Sequence, residues 1–202
     1  MRFLSLLFVL SVSLFSPSVP FWQSSPIPFS FSPANAQKIS LPGIPNAGKV
    51  SDSLLRGAQP HLAHLDELKK LGVTTIVDLR KESPHTRERE RVQAEALGIH
   101  FISIPVGGFS TPSSAQLAEF FILLRGAPPQ KIFVHCEFGE DRTGVFIAAY
   151  RIAFDRWSSD QALSEMHAFG FNRLWHPSMV SYVLTLPDRL RSDPTLKSAL
   201  GN

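Results

Sequence analysis

Three short apolar runs, Thr74–Leu79 (TTIVDL), His100–Ile104 (HFISI) and Lys131–His135 (KIFVH), alternate along the chain with stretches of helical spacing. Strand-length runs separated by helices point to an α/β fold, a central mainly parallel sheet flanked by helices. Leu54–Arg56 adds a short strand closed by Gly57 and Pro60. Helical patterns cover Leu62–Leu71, where every third position is Leu and Gly72 is the stop, and then Thr86–Leu97. Four more follow at Ser113–Leu124, Thr143–Phe154, Ser159–Phe169 and Pro177–Leu186. No internal repeat interrupts the series.

The N-terminal part obeys different rules. Between Phe3 and Gln37 there is no charged residue, and Phe3–Phe15 is apolar but too short to span a bilayer comfortably. Pro17 and Pro20 stop any helix there from lengthening, and Ala34-Asn35-Ala36 has the small-x-small form that a signal peptidase reads. Residues 1–36 are therefore expected to be a cleaved export signal, which places the mature protein in the periplasm or outside the cell without stable membrane insertion. The alternative is an uncleaved N-terminal anchor. Residues 37–49, rich in Pro and Gly, are expected as an extended lead-in, residues 50–190 as the domain, and 191–202 as a C-terminal tail.

Of the 202 residues, 44% are hydrophobic and 18% charged, so a packed core is available and wholesale disorder is excluded. A net charge of +3 is too small for a nucleic-acid footprint, and none is expected as a partner. The single Cys excludes both a disulfide framework and a Cys-rich zinc site.

That one thiol lies in the most informative segment, KIFVHCEFGEDRT. A strand ends at His135, a loop carries Cys136 and Arg142 with five residues between them, and a helix is expected from Thr143. The carboxyl edge of an open sheet is where such folds bind ligands. Backbone N–H groups of Glu137, Phe138, Gly139, Glu140, Asp141 and Arg142, with the helix dipole behind them, suit a phosphate dianion. Gly139 lets the backbone approach closely, and Arg142 offers a planar fork for two phosphate oxygens. The same potential favours a Cys136 thiolate able to attack phosphorus.

HCEFGEDRTG resembles the signature loop of the cysteine-dependent protein tyrosine phosphatases, H-C-x5-R-S/T. The Asp141-Arg142-Thr143-Gly144 ending, Leu55-Arg56-Gly57-Ala58-Gln59-Pro60 and the strand ending at Arg80 are similar, in order, to the atypical dual-specificity branch. The resemblance spans roughly residues 50–185 and implies a dual-specificity-phosphatase-like fold without metal or cofactor. It implies Cys136 as nucleophile, Arg142 as phosphate binder and transition-state stabiliser, Thr143 as partner of the departing thiolate, and His135 as shaper of the loop.

One part departs from the family pattern. The loop Pro105–Pro112, where many such enzymes carry an acid, holds no carboxylate. Asp141 is the expected replacement, with a helix-start ion pair as its structural alternative. Arg80, at a strand end, is expected near the pocket rim as a substrate-binding residue; for both Arg80 and Arg56 the structural alternative is a surface strand end or an ion pair. Glu137 and Glu140 put negative charge beside the phosphate, which disfavours polyanionic substrates. His167, Trp175 and His176 lack metal-ligand spacing and are expected in packing and a turn. The reading is a phosphatase acting on phosphotyrosine or small phosphomonoesters. The missing acid keeps a phosphate-recognition module as the alternative; a sulfur transferase or an arsenate reductase fits less well, by loop length and by the lack of a second thiol.

Overall fold

The computed structural model describes residues 35–201, so the expected export signal falls almost entirely outside the described residues. Strands β1 (Gln37–Lys38), β2 (Gly48–Lys49) and β3 (Leu54–Gly57) come first, then a 3-10 turn (Leu62–His64), α1 (Leu65–Lys70) and β4 (Thr75–Arg80). They are followed by α2 (Pro84–Ala96), β5 (His100–Val106), α3 (Ser114–Leu124), β6 (Ile132–His135) and α4 (Asp141–Ala153). The chain continues through α5 (Ser159–Ala168), α6 (Pro177–Ser192) and α7 (Pro194–Leu200).

The sheet order is β1-β2-β3-β6-β4-β5. β3, β6, β4 and β5 run parallel, with Leu54 and Thr75 both in register with Ile132. Among the described residues, the short strand β2 pairs antiparallel with β1 on one side and with β3 on the other, so the lead-in segment is joined to the sheet. Ala36, the last residue of the expected signal, already donates its backbone N–H to Glu165 at 2.6 Å.

Alternate side chains of each strand feed opposite cores, as a pleated strand requires. Leu54, Val77, Leu79, Ile132 and Val134 face a core built with α3 to α7, whereas Leu55, Ile76 and Phe133 face one built with α1 and α2. Each fully buried side chain of this size stabilises by about 1.5–3 kcal/mol. α4 is buried on nearly every side, from Arg142 to Ile152, which explains why its sequence shows no polar face.

Among the boundaries that differ from expectation, three have a visible cause. α4 begins at Asp141 rather than Thr143, because the Glu140 carbonyl already accepts the Gly144 N–H and closes the first turn. α6 does not stop at Leu186 but runs through Pro187. Pro187 has no N–H for the Val183 carbonyl, and the Ser159 hydroxyl takes that place at 3.0 Å. The residues expected as a C-terminal tail contain the end of α6 and α7, with Asp193 capping Thr195 and Leu196 and with Leu196 and Ala199 buried.

Candidate active site

β6 lies between β3 and β4, and Cys136 follows its last residue at the carboxyl edge of the sheet. The thiol-bearing residue is buried, 3% exposed. What shapes the loop is a set of donors that take its carbonyls. His135 Nδ1 meets the Cys136 carbonyl at 3.1 Å, and the Gln59 N–H donates to Glu137 O at 3.1 Å. Asn46 Nδ2 donates to Phe138 O at 3.2 Å, and Arg56 Nη2 donates to Gly139 O at 2.7 Å.

In a planar trans peptide the C=O and the next N–H point in opposite directions. Four carbonyls held by outside donors therefore aim the N–H groups of Glu137, Phe138, Gly139 and Glu140 into the loop, an arrangement that concentrates positive potential. Gly139 has φ +72°, and a Cβ there would fall 2.5 Å from the Gly57 carbonyl carbon, so no side chain fits. Glycine at 139 is a requirement of this turn.

Arg142 opens from the first turn of α4 over this cradle. Its Nη1 donates to Glu82 Oε2 at 2.7 Å and to Val106 O at 3.1 Å. Nε and Nη2 make no hydrogen bond among the described residues, which leaves one edge of the fork for two anion oxygens. Glu82 also accepts the Gly108 N–H at 3.0 Å and so ties the acid-free β5–α3 loop to Arg142. Burial opposes ionisation of Glu82, but the backbone donors and Arg142 outweigh it and hold the carboxyl below its usual range.

Asp141 behaves in the opposite way. Its carboxyl is half-buried, and loss of solvent raises its pKa despite His176 and Arg142 nearby. The His176 Nε2 lies 3.4 Å away. Thr143 is fully buried, and its hydroxyl has no hydrogen-bond partner among the described residues. Glu137 and Phe138 are exposed at the mouth, and Glu140 is partly covered, with its pKa raised by burial and by Asp141.

Behind the loop, His135 Nε2 is 2.9 Å from Glu90 Oε1 and 4.0 Å from Asp78. Burial opposes the charged ring, but Glu90 and Asp78 outweigh it and raise the pKa above its ordinary value. Arg80 belongs to this same cluster and not to the pocket rim. It is 2% exposed, with Nε on Asp78 at 2.8 Å and Nη2 on Glu90 at 2.7 Å. The expectation that Arg80 contacts substrate is therefore corrected: two buried carboxylates, one of them 10 residues away on α2, draw it inward.

A cavity of about 690 Å³ opens over the loop, lined by Glu82, Gly108, Phe109, Glu137, Phe138, Glu140, Asp141, Arg142, Gly170, Asn172, Trp175 and His176. His176 and Trp175, expected in packing and a turn, form one wall; the ring of Phe109 stacks on His176 at 5.3 Å. Sequence reading missed Glu82, Glu90, Asn46 and Gln59 as parts of the site. Glu82, Glu90 and Asn46 carry no local signal, since each sits in an ordinary loop or charged helix, and Gln59 lies inside the Leu55–Pro60 segment of the resemblance without a role of its own. Among the described residues no cluster of His, Cys, Asp and Glu could hold a metal ion.

The family model described as "DSP-PTPase phosphatase fused to NAD+ Kinase" matches residues 43–180. The chain is 30% identical over 140 residues to the dual specificity protein phosphatase TpbA of Pseudomonas aeruginosa, an alignment covering 69% of this chain and 61% of that protein. It thus spans about three fifths of the length of that curated relative. The crystal structure of P. aeruginosa TpbA in complex with pTyr superposes with a TM-score of 0.64 at 26% identity, covering 86% of this chain and 99% of that one. The core catalytic domain of the PP-IP phosphatase Siw14 from S. cerevisiae shares the fold, with a TM-score of 0.65 at 21% identity over 81% of this chain and 96% of that one. With the Cys136–Arg142 loop in the same segment as the family match, the chain belongs to the cysteine-dependent protein tyrosine phosphatase superfamily, in its atypical dual-specificity branch.

Proposed function

We propose that this protein is an exported phosphatase that hydrolyses phosphotyrosine or small aryl phosphomonoesters through a phosphocysteine intermediate. The observation that carries the reading is the cradle itself: four consecutive loop N–H groups aimed inward beneath the free edge of Arg142. Arg142 and the cradle bind the three non-bridging oxygens and stabilise the charge that gathers on them in the transition state. The Cys136 thiolate forms the S–P bond as the P–O bond to the leaving group breaks. Asp141, whose pKa burial raises, gives a proton to the departing oxygen and then takes one from the water that splits the S–P bond. The Thr143 hydroxyl, free of other partners, stabilises the thiolate as it leaves.

The substrate class follows from the walls. Phe109, Phe138 and Trp175 stand 77%, 63% and 75% exposed around the cavity, an unusual amount of bare ring that suits an aromatic leaving group. Glu82, Glu137, Glu140 and Asp141 line the same cavity and repel polyanions. TpbA in complex with pTyr supports the same class. Export is supported by the leader-like composition of residues 1–36. No helix among the described residues is long and apolar enough to cross a membrane.

Hydrolysis of p-nitrophenyl phosphate and of an alkyl phosphate by the purified chain tests this. Cys136→Ser abolishes turnover of both. Asp141→Asn lowers kcat on the alkyl ester by about 10²- to 10⁴-fold and less on the nitrophenyl ester, whose leaving group needs little protonation. An active Cys136→Ser protein would sink the mechanism, and an Asp141→Asn protein with equal losses on both esters would remove Asp141 as the acid.

A further inference from the structure

Arg56 is a polar side chain with no ordinary reason to be where it is. It sits in β3 at 0% exposure, with its guanidinium over the Phe169 ring, 3.9 Å from the centroid. Nη2 donates to the Gly139 carbonyl, but Nε and Nη1 are buried with no hydrogen-bond partner among the described residues. No carboxylate of those residues lies within 4.0 Å of it; the ion pairs of the interior belong to Arg80, Arg142 and Arg151 instead. Burial pushes its pKa down to about 10, with Glu165 and the Cys136 sulfur the favourable charges within reach. Buried cations without a paired anion are costly, and strongly perturbed buried charges cluster at functional sites.

We propose that Arg56 is a positioning residue for the anion cradle: it holds the Gly139 carbonyl outward so that the Glu140 N–H faces the ligand, and its charge is balanced by the Cys136 thiolate and the bound phosphate. The stacking on Phe169 fixes the plane of the guanidinium, and the tight approach of Gly139 to Gly57 leaves the loop no room to drift along it. Asn46 supports the same arrangement, bridging the carbonyls of Phe138 and Phe169 at 3.2 and 2.9 Å. Arg56 never meets substrate in this arrangement; it acts through the loop and through its field. The inference rests on the phosphatase reading of the Cys136 loop.

The test uses the full chain, in which Cys136 is the only thiol. Alkylation of Cys136 by iodoacetamide is followed at rising concentrations of inorganic phosphate, beside p-nitrophenyl phosphate kinetics and thermal unfolding. In Arg56→Met the phosphate needed for half-protection rises at least about 10-fold and kcat falls about 100-fold, the scale of a small misplacement of reacting groups. Its thermal midpoint stays at or above that of the wild type, because a buried charge has been replaced by an apolar chain of similar length. Arg56→Lys, which keeps the charge but not the fork, alkylates at the wild-type rate without phosphate yet still needs the higher phosphate for protection. An Arg56→Met protein that fails to fold, or that folds and keeps wild-type protection and kcat, overturns the inference alone. A wild type that neither turns over substrate nor is protected by phosphate overturns it together with the phosphatase reading.

Discussion

Two arginines flank the strand that delivers the thiol, and the fold treats them in opposite ways. Arg80, on β4, is enclosed by Asp78 and Glu90, with the His135 ring 2.9 Å from Glu90, so its charge is balanced in the interior. Arg56, on β3, is as deeply buried but meets an aromatic face and one carbonyl, with no carboxylate. The balanced side is scaffold: it orients His135, which in turn holds the Cys136 carbonyl. The unbalanced side leaves positive potential at the loop, and that is the side on which an anion has something to gain.

The comparison breaks most easily at Arg80. Arg80→Leu strands Asp78 and Glu90 in the core beside the His135 ring, and chemical denaturation should show a loss of about 3–5 kcal/mol. A loss no larger than that of Arg56→Met would mean that the two sides do not differ in kind.

A smaller effect sharpens the balanced side through pH. The folded pKa of His135 lies above its ordinary value of 6.5, so its contribution to stability is fully present below that pH and is lost as pH rises through the higher folded value. Burial alone would lower the pKa; Glu90 is the first of the groups that raise it. In Glu90→Gln the folded value falls back, and this slope in stability above pH 6.5 should flatten. An unchanged slope would assign the pH dependence to another group.

The smallest effect is expected at Arg91, whose pairs with Glu88 and Glu95 lie on the exposed face of α2. Arg91→Ala should leave the unfolding midpoint within the scatter of replicate melts, since solvent screens such pairs. A clear drop would show that α2 depends on its charged surface as well as on Glu90.

Part of this was legible in the primary structure because it is local. The alternation of strand-length runs and helical spacing described the parallel sheet, and the Cys136–Arg142 interval with Gly139 described a phosphate-sized loop. Boundaries failed where the deciding partner is distant: α6 passes Pro187 only because Ser159, 24 residues upstream of Val183, satisfies the freed carbonyl. Glu82 sits 60 residues before Arg142, and nothing around Lys81-Glu82-Ser83 marks it as a site residue.

Arg56 and Arg80 show the limit most clearly. Each follows an apolar run at the end of a strand, and by sequence they are the same kind of residue. The residue types and their spacing determined that this chain builds a sheet, ends its central strand at a thiol and places an arginine six positions on. Which of the two buried arginines is neutralised, and which turns the loop's carbonyls away from the ligand, was decided by β6 lying between β3 and β4, with α2 carrying its carboxylate to one side only. Electrostatic compensation depends on distances in three dimensions, and the order of residues along a chain does not specify them.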